Sequence, residues 1–176
     1  MRMKKLLFAI LCLLVLSPAL SRAETTIHNF HDMSGSSQLT FPSGDKFGVT
    51  DLVTYTCSGT SDAKFNFLAV TDYKICIYLP NNGDQVVTTP IANLDSLSIH
   101  YIPTNIARTI KVYTSVNNVD WTPVTVKPNS GMNTVKLPAS GNYYLKIANE
   151  ASSNAFYIRE IHYVTKPCVC LKVVSE

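Results

Sequence analysis

The stretch Leu97-Ser98-Ile99-His100-Tyr101 alternates apolar and polar side chains, and Ile110-Lys111-Val112-Tyr113 repeats the pattern a short way downstream. Successive side chains of a β-strand point to opposite faces, so each stretch has one apolar face and one mixed face. Val135-Lys136-Leu137 and Leu145-Lys146-Ile147 alternate in the same way. These four segments predict half-buried strands whose apolar faces cover a common core.

The segments around these strands are also short and bounded by turn residues. Further strands are predicted at residues 26–30, 47–57, 64–70, 73–79, 119–126 and 156–164, and breaks at Pro42-Ser43-Gly44, Pro80-Asn81-Asn82-Gly83, Pro103-Thr104-Asn105, Pro128-Asn129-Ser130-Gly131 and Pro138-Ala139-Ser140-Gly141. The total of about ten to twelve strands is too many for one open sheet in a chain of this length. The sequence therefore predicts an all-β fold in which two antiparallel sheets pack as a sandwich.

The last predicted strand contains a conflict of parity. Phe156 and Ile158 would share one face, whereas Ile161 and Tyr163 would share the other. An extra residue near Arg159 would return both pairs to the core, so we predict a β-bulge there.

The N-terminus has the three regions of a signal peptide. Arg2, Lys4 and Lys5 precede an apolar run from Leu6 to Leu16, which is followed by Ser17-Pro18 and then by Ser21-Arg22-Ala23, with small residues at Ser21 and Ala23. The run of about 11 residues is too short to span a bilayer, which takes about 20. We predict a removable signal peptide at residues 1–23, a single β-sandwich domain at residues 24–176 whose last ten or so residues form a loose tail, and export to the periplasm, outer surface or medium.

The formal charge of +3 depends on the predicted signal peptide. Four of the 15 basic residues lie within residues 1–23, so the mature chain has 11 basic and 12 acidic residues and a net charge of −1. No basic stripe remains for a phosphate backbone, so we expect no nucleic-acid partner.

Four cysteines remain in the predicted mature chain, and four cysteines allow three pairings. Cys57 and Cys76 each lie on a predicted strand, so a disulfide between them is feasible in an exported protein. Cys168 and Cys170 are two positions apart and are awkward to bridge to each other. The alternative is that all four are small buried residues with free thiols.

Part of the chain resembles a known family. The stretch Arg108-Thr-Ile-Lys-Val-Tyr-Thr-Ser-Val-Asn-Asn-Val-Asp-Trp121-Thr-Pro-Val124 resembles a hairpin of galactose-binding-like (discoidin-like) jelly rolls, in which a strand ending in Tyr-x-Ser turns into a strand that begins near a Trp. The preceding core strand is similar to Leu94-Asp-Ser-Leu-Ser-Ile-His-Tyr101, and the closing strands are similar to Gly141-Asn-Tyr-Tyr-Leu-Lys-Ile-Ala148 and Phe156-Tyr-Ile-Arg-Glu-Ile161. The likeness covers roughly half of the chain, residues 85–164.

The resemblance implies a jelly-roll fold and a carbohydrate-binding module of the kind found in secreted bacterial proteins that bind or degrade polysaccharides. It also implies that Trp121 is a core anchor. The chain departs from the family at the hairpin turn, where Asn117-Asn118 replaces the more usual Asp-Gly.

Sugar recognition needs flat aromatic faces together with groups that pair with hydroxyls. The chain has nine Tyr and one Trp, which could supply such faces. We take Tyr73, Tyr78, Tyr101 and Tyr144 as the candidate ligand-binding residues. The leading prediction is a secreted, non-catalytic module that binds a poly- or oligosaccharide at the cell surface.

Two other functions stay open at this point. A structural or adhesive envelope protein that binds a protein partner would also suit exposed strand edges. A small polysaccharide lyase or hydrolase is the less favoured reading, because the sequence has no G-x-S-x-G elbow, phosphate-binding loop or catalytic-cysteine signature. We expect no cofactor, although a structural calcium ion could bind to loop carboxylates such as Asp45, Asp62 or Asp84.

Overall fold

The structure is a computed structural model that describes residues 23–30, 38–41, 53–60, 63–66, 76–103, 109–126, 131–152 and 154–166. Within these ranges the chain forms eleven β-strands and no helix: β1 (Glu24–Asn29), β2 (Gln38–Phe41), β3 (Val53–Ser58), β4 (Lys64–Asn66), β5 (Cys76–Leu79), β6 (Gln85–Thr88), β7 (Ile91–Pro103), β8 (Lys111–Ser115), β9 (Thr122–Val124), β10 (Gly131–Ala148) and β11 (Phe156–Thr165). The described residues thus contain no helix that could cross a membrane. Nearly all of the predicted signal peptide, and the predicted tail, lie outside these ranges.

The strands form two sheets, and every described pairing is antiparallel. In sheet A the first part of β10 pairs with β7, and β7 pairs with β11. The other edge of β11 pairs with β1 along one part and with β5 along the other. Strand β4 then pairs with β5. Sheet B has the order β9-β8-β10-β6-β3-β2 and uses the last part of β10. The predicted all-β, two-sheet antiparallel sandwich is confirmed.

A long ladder joins the two sheets at one corner, because β10 belongs to both and β6 continues into β7 beside it. Gly131–Lys136 of β10 pairs with β7 in sheet A, and Lys146–Ala148 pairs with β6 in sheet B. Between the pairs Lys136–Ser96 and Gly141–Leu94, β10 advances five positions while β7 advances two. The predicted break at residues 138–141 is therefore an irregularity within one strand, where the surplus residues let the ladder bend from one sheet to the other.

Polar contacts hold this corner on its exposed side. The Asp95 carboxylate lies 2.6 Å from Lys166 Nζ and accepts a hydrogen bond from Ser140 Oγ at 2.9 Å. The bond from Lys166, reinforced by the one from Ser140, lowers the pKa of Asp95 below its usual range. Asn93 has a positive φ of 52°, a conformation that asparagine tolerates better than most residues, and it lies where β7 gains a residue relative to β10.

The core lies between the sheets and consists of the inward residues of both. Leu97, Ile99 and Tyr101 of β7 have no exposed surface, as their alternation predicts. Val112 of β8 and Ile147 of β10 belong to the same core on the side of sheet B and are 1% exposed. Burying each of these aliphatic side chains contributes about 1.5–3 kcal/mol, so the alternating pattern selects this pairing of the two faces.

The predicted bulge in β11 is confirmed. Ile158 pairs with Tyr101 and Glu160 pairs with His100. The two partners in β7 are consecutive, so Arg159 is an extra residue of β11 with no partner of its own in β7. The backbone oxygen of Arg159 accepts a hydrogen bond from Phe30 N at 3.1 Å. As a result, the inward residues on both sides of the bulge are completely buried: Phe156, Ile158, Ile161 and Tyr163.

A buried polar network connects the sheets through the middle of the core. The hydroxyl of Tyr55 in β3 is 2.6 Å from the hydroxyl of Tyr163 in β11, and it also contacts Nδ1 of His28 in β1. The His28 ring meets both tyrosine rings edge to face, with centroids 5.5 and 5.1 Å away. Burial raises the pKa of both tyrosine hydroxyls, so both stay neutral.

The structure does not contain the feasible disulfide between Cys57 and Cys76, because Cys57 is a free thiol. Cys57 lies in β3 of sheet B, whereas Cys76 begins β5 of sheet A. Burial, reinforced by the nearby Asp84 carboxylate, raises the pKa of the Cys57 thiol to about 12. Cys57 is therefore a small buried residue with a free thiol, as the alternative prediction states. Cys168 and Cys170 lie outside the described residues.

Candidate functional site

The outer face of sheet B gathers aromatic side chains from three strands. In β10, Leu145 and Ile147 point into the core, so Tyr144 and Lys146 point outward. The cross-strand partner of Lys146 is Tyr113 of β8, which lies between the inward residues Val112 and Thr114.

Trp121 joins these side chains because it immediately precedes β9. The pairing of Pro123 with Tyr113 places Pro123 outward, and Trp121 has the same parity. We call Tyr113, Trp121, Tyr144 and Lys146 the aromatic face. All four are partly exposed.

Lys146 lies at the centre of the aromatic face. Its Nζ is 4.5 Å from the centroid of the Tyr113 ring and 4.6 Å from that of the Trp121 ring. An ammonium group at this distance is attracted to the negative face of each ring, by about 0.5–1 kcal/mol at exposed sites. The two contacts fix the lysine head group and the two rings relative to one another.

Glu150 lies beside the aromatic face and engages Tyr113. The Tyr113 hydroxyl donates a hydrogen bond to Glu150 Oε1. This bond stabilises the neutral phenol, and with partial burial it raises the pKa of Tyr113 to about 12. The region thus offers a fixed carboxylate as well as an ammonium group, which together can accept and donate hydrogen bonds to hydroxyls.

A groove of about 230 Å³ adjoins the aromatic face where β8 and β9 diverge. Its lining is mostly aliphatic, with threonine hydroxyls and the Tyr113 ring: Thr109, Ile110, Lys111, Val112, Tyr113, Pro123, Val124, Thr125 and Val126. Lys111 is the one charged residue among these nine. The groove can therefore receive a small extended group next to the rings.

The turn before Trp121 is organised by Asn117. Its side-chain oxygen accepts hydrogen bonds from the backbone nitrogens of Val119 and Asp120, both at 2.9 Å, and its amide nitrogen donates to Asp120 Oδ2 at 2.8 Å. Asn118 then adopts a positive φ of 61°, which asparagine tolerates and glycine would also allow. The Asn-Asn pair therefore makes a tight turn without the more usual Asp-Gly, and this turn sets where β9 and Trp121 begin.

The prediction that Trp121 is a core anchor is wrong. It is not among the buried core residues of the described chain; it is partly exposed on the outer face and contacts Lys146. The pairing of β9 with β8 gives Trp121 the outward parity of Pro123 rather than the inward parity of Val124, which packs against the core.

Tyr101 is not at a binding surface, and the two other candidate tyrosines that the structure describes lie on different sheets. Tyr101 has no exposed surface, and its ring packs near Phe156 with centroids 6.0 Å apart, so it cannot reach a dissolved sugar. Tyr144 lies on the aromatic face. Tyr78 lies on the outer face of sheet A, stacked on Tyr157 with centroids 5.0 Å apart. Tyr73 lies outside the described residues.

The outer face of sheet A also carries a group of polar residues near the β11 bulge. Glu160 is 3.3 Å from Nδ1 of His100 and 3.6 Å from Nε2 of His162. Each of the three side chains is 18–25% exposed. Ser98 and Thr134 extend this polar area through a hydroxyl contact of 2.7 Å. Within the ranges that the structure describes, no group of three metal-ligating side chains is arranged to hold an ion.

Asp84, one of the carboxylates considered for calcium, is already engaged by the protein. It is fully buried and accepts hydrogen bonds from Thr60 N at 2.6 Å, Thr60 Oγ1 at 2.8 Å and Asn81 N at 2.7 Å. These bonds fasten the loop after β3 to the loop before β6, so Asp84 has a structural role here. Asp45 and Asp62 lie outside the described residues.

No family model matches the sequence, and no curated protein matches it. Several solved structures are similar in fold at low sequence identity. The K1 cleaved adhesin domain of Lys-gingipain from Porphyromonas gingivalis W83 is 18% identical, with a TM-score of 0.46 over 81% of this chain and 99% of that one. CBM32-1 from a family 31 glycoside hydrolase of Clostridium perfringens is 11% identical, with a TM-score of 0.44 over 63% of this chain and 94% of that one.

A family two carbohydrate esterase from Cellvibrio japonicus is 10% identical, with a TM-score of 0.47 over 81% of this chain. The present chain spans only 34% of that esterase's length. Carbohydrate-binding modules and adhesin domains are thus among the structures that this chain resembles.

Sequence reasoning missed Lys146, Tyr113 and Glu150 as members of one site. Lys146 and Tyr113 each occupy the polar position of an alternating strand, which is a signal for the outer face. Their adjacency depends on the register between β8 and β10, which alternation alone does not give.

Proposed function

We propose that this chain is an exported, non-catalytic carbohydrate-binding protein, and that the sugar binds to the aromatic face of sheet B. The observation that carries the proposal is the grouping of Trp121 and Tyr113 around Lys146, with Glu150 alongside. A sugar ring presents apolar C–H surface on its faces and hydroxyls around its rim. The aromatic face offers a partner for each.

The arrangement also limits the ordering cost of binding. The Lys146 head group is already held by two rings, and the Tyr113 ring is held by Lys146 and Glu150. Side chains that are fixed before a ligand arrives lose less rotamer entropy on binding. The site is nevertheless shallow and polar, so we expect weak affinity for a single sugar unit and tighter binding to chains that also enter the groove.

The acidic side chains that the structure describes suit binding rather than hydrolysis. A glycosidase places two carboxylates across one glycosidic bond. Glu150 is bonded to Tyr113 beside the aromatic face, whereas Glu160 lies on the outer face of sheet A between two histidines. Asp95 is at the corner of the sandwich, paired with Lys166. Asp120, the other carboxylate near the aromatic face, accepts the side-chain amide of Asn117 at the hairpin turn. Both carboxylates near the rings are thus hydrogen-bonded to the protein, which supports the non-catalytic part of the proposal.

Affinity-gel electrophoresis of the mature protein against a broad panel of neutral and acidic polysaccharides tests the proposal. We expect at least one polysaccharide to retard the protein, and Trp121→Ala to weaken that retardation about tenfold or more, which corresponds to about 1.4 kcal/mol. Trp121 is outside the core, so the variant should keep its circular dichroism spectrum and its thermal midpoint within a few degrees.

Tyr78→Ala is the matched control, because it removes an aromatic ring from the opposite outer face. We expect it to bind like the wild type. A protein that no polysaccharide in the panel retards would refute carbohydrate binding. Loss of binding in Tyr78→Ala with normal binding in Trp121→Ala would move the site to sheet A.

One observation favours adhesion to a protein as the second candidate function. Val116 and Val119 at the tip of the β8–β9 hairpin are 71% and 74% exposed. Exposed apolar side chains at a loop tip can anchor a partner surface. A saturable envelope partner that is lost in the Val116→Ser/Val119→Ser double variant, and whose binding is independent of glycan, would favour this function over the first.

A further inference from the structure

We propose that the aromatic face selects an anionic saccharide, one that carries a carboxylate or a sulfate ester, and that Lys146 contacts the anionic group. This inference rests on the proposed function, because it names the ligand class of the same site. It begins with the charges on the outer face of sheet B, where Lys146 lies at the centre and Lys111 lines the adjoining groove.

Lys146 has no carboxylate partner within 4.0 Å in the part of the chain that the structure describes. Its recorded contacts are with the faces of two aromatic rings, which attract the charge but accept no conventional hydrogen bond. An ammonium group has three donors. Donor capacity therefore remains for an acceptor that approaches from the solvent.

The two carboxylates of this region are each engaged by another donor. Glu150 accepts the hydroxyl of Tyr113, and Asp120 accepts the side-chain amide of Asn117 at the hairpin turn. Neither forms an ion pair with Lys146 in the described chain. A ligand anion at the rings would thus meet an ammonium group that is not paired with a carboxylate of the described chain.

The groove next to the aromatic face also carries a positive charge. Lys111 is its one charged lining residue, and it lies two positions before Tyr113 on the same face of β8. A sugar chain that places one ring at Trp121 and continues into the groove would meet Lys146 first and Lys111 next. Anionic groups at intervals along a chain, as in a polyuronate or a sulfated polysaccharide, match two lysines spaced along one strip of surface.

The test compares polysaccharides that differ only in charge. Polygalacturonate and its methyl ester share one backbone, and dextran sulfate and dextran form a second pair. We expect the wild type to bind the charged member of at least one pair tenfold or more tightly, and the preference to shrink as NaCl is raised from 50 to 300 mM, because exposed charges are screened. The pair that shows the preference identifies carboxylate or sulfate as the anion.

Lys146→Met should remove most of the preference and leave only the contribution of Lys111, whereas Lys146→Arg should keep most of it. Lys136→Met removes an exposed lysine from the part of β10 that lies in sheet A and should bind like the wild type. A Lys146→Met protein that melts like the wild type and keeps the full preference for the charged polymers would overturn the inference. Equal binding of both members of each pair, lost in Trp121→Ala, would overturn the inference but leave the proposed function standing. Retardation by no polysaccharide at all would refute the proposed function itself.

Discussion

The buried contact between Tyr55 and Tyr163 should be worth a measurable part of the stability of the sandwich. The two hydroxyls are 2.6 Å apart, and both side chains have no exposed surface. Tyr55→Phe leaves the Tyr163 hydroxyl without this partner and also removes the contact with Nδ1 of His28. A buried polar group that loses its partner costs about 1–3 kcal/mol, so we expect this loss in the free energy of unfolding.

The double-mutant cycle separates the contact from the two side chains. Tyr163→Phe should cost about 1–2 kcal/mol, because it leaves the Tyr55 hydroxyl with one contact fewer. The Tyr55→Phe/Tyr163→Phe double variant should be more stable than the sum of the single losses predicts, with a coupling free energy of about 1 kcal/mol. Neutral partners justify this size, because burial raises the pKa of both hydroxyls and keeps them protonated.

Equilibrium unfolding in urea, followed by circular dichroism at a β-sheet wavelength, measures each term of the cycle. Tyr144→Phe is the control, because its ring lies on the outer face of sheet B, and it should change stability by less than about 0.5 kcal/mol. Single losses that add within about 0.3–0.5 kcal/mol would show that the hydroxyls do not interact. The hydrogen bond between Tyr55 and Tyr163 would then be refuted.

Three further predictions concern individual groups. In an absorbance titration at 295 nm, Tyr113 should ionise near pH 12. Its hydrogen bond to Glu150 therefore stabilises the fold fully below about pH 10, the ordinary tyrosine pKa, and this stabilisation is lost as the pH rises through 12. In the Glu150→Gln variant Tyr113 should ionise closer to pH 10, and an unchanged titration would contradict the hydrogen bond. The Cys57 thiol is 6% exposed with its pKa raised to about 12, so iodoacetamide followed by peptide mass mapping should label it only in denaturant; recovery of a Cys57–Cys76 peptide would instead establish the disulfide. Asp84→Ala should cost about 1.5–3 kcal/mol in urea unfolding because it removes the buried acceptor of the Thr60 and Asn81 hydrogen bonds, and a near-neutral result would mean that the loops are held by other contacts.

The sequence predicts the sheets well because their inward residues follow a period of two. The alternation around Ile99 and the parity conflict around Arg159 each have a single solution that buries every apolar side chain, and the structure has that solution. The same alternation excludes Tyr101 from a binding surface, because Tyr101 points to the same face of β7 as Leu97 and Ile99. The position of a tyrosine in the alternation therefore predicts its exposure better than its residue type does.

The aromatic face could not be predicted because it depends on registers between strands. Trp121 points outward because β9 pairs with β8 in the register that aligns Pro123 with Tyr113, and a slip of one residue would have turned the indole into the core. That register follows from the turn that Asn117 builds. Lys146 joins the rings only through the pairing of β10 with β8, more than thirty residues along the chain.

The fluorescence of Trp121 tests the central claim most directly, because it is the only tryptophan in the chain. Oligosaccharides cut from whichever polysaccharide retards the protein should produce a saturable change in its emission, with a midpoint that matches the affinity measured by electrophoresis. The wild type should lose accessibility to acrylamide quenching as the sugar saturates. Retardation by the polysaccharide together with unaltered emission and quenching of this indole would place the sugar elsewhere on the molecule and contradict the account.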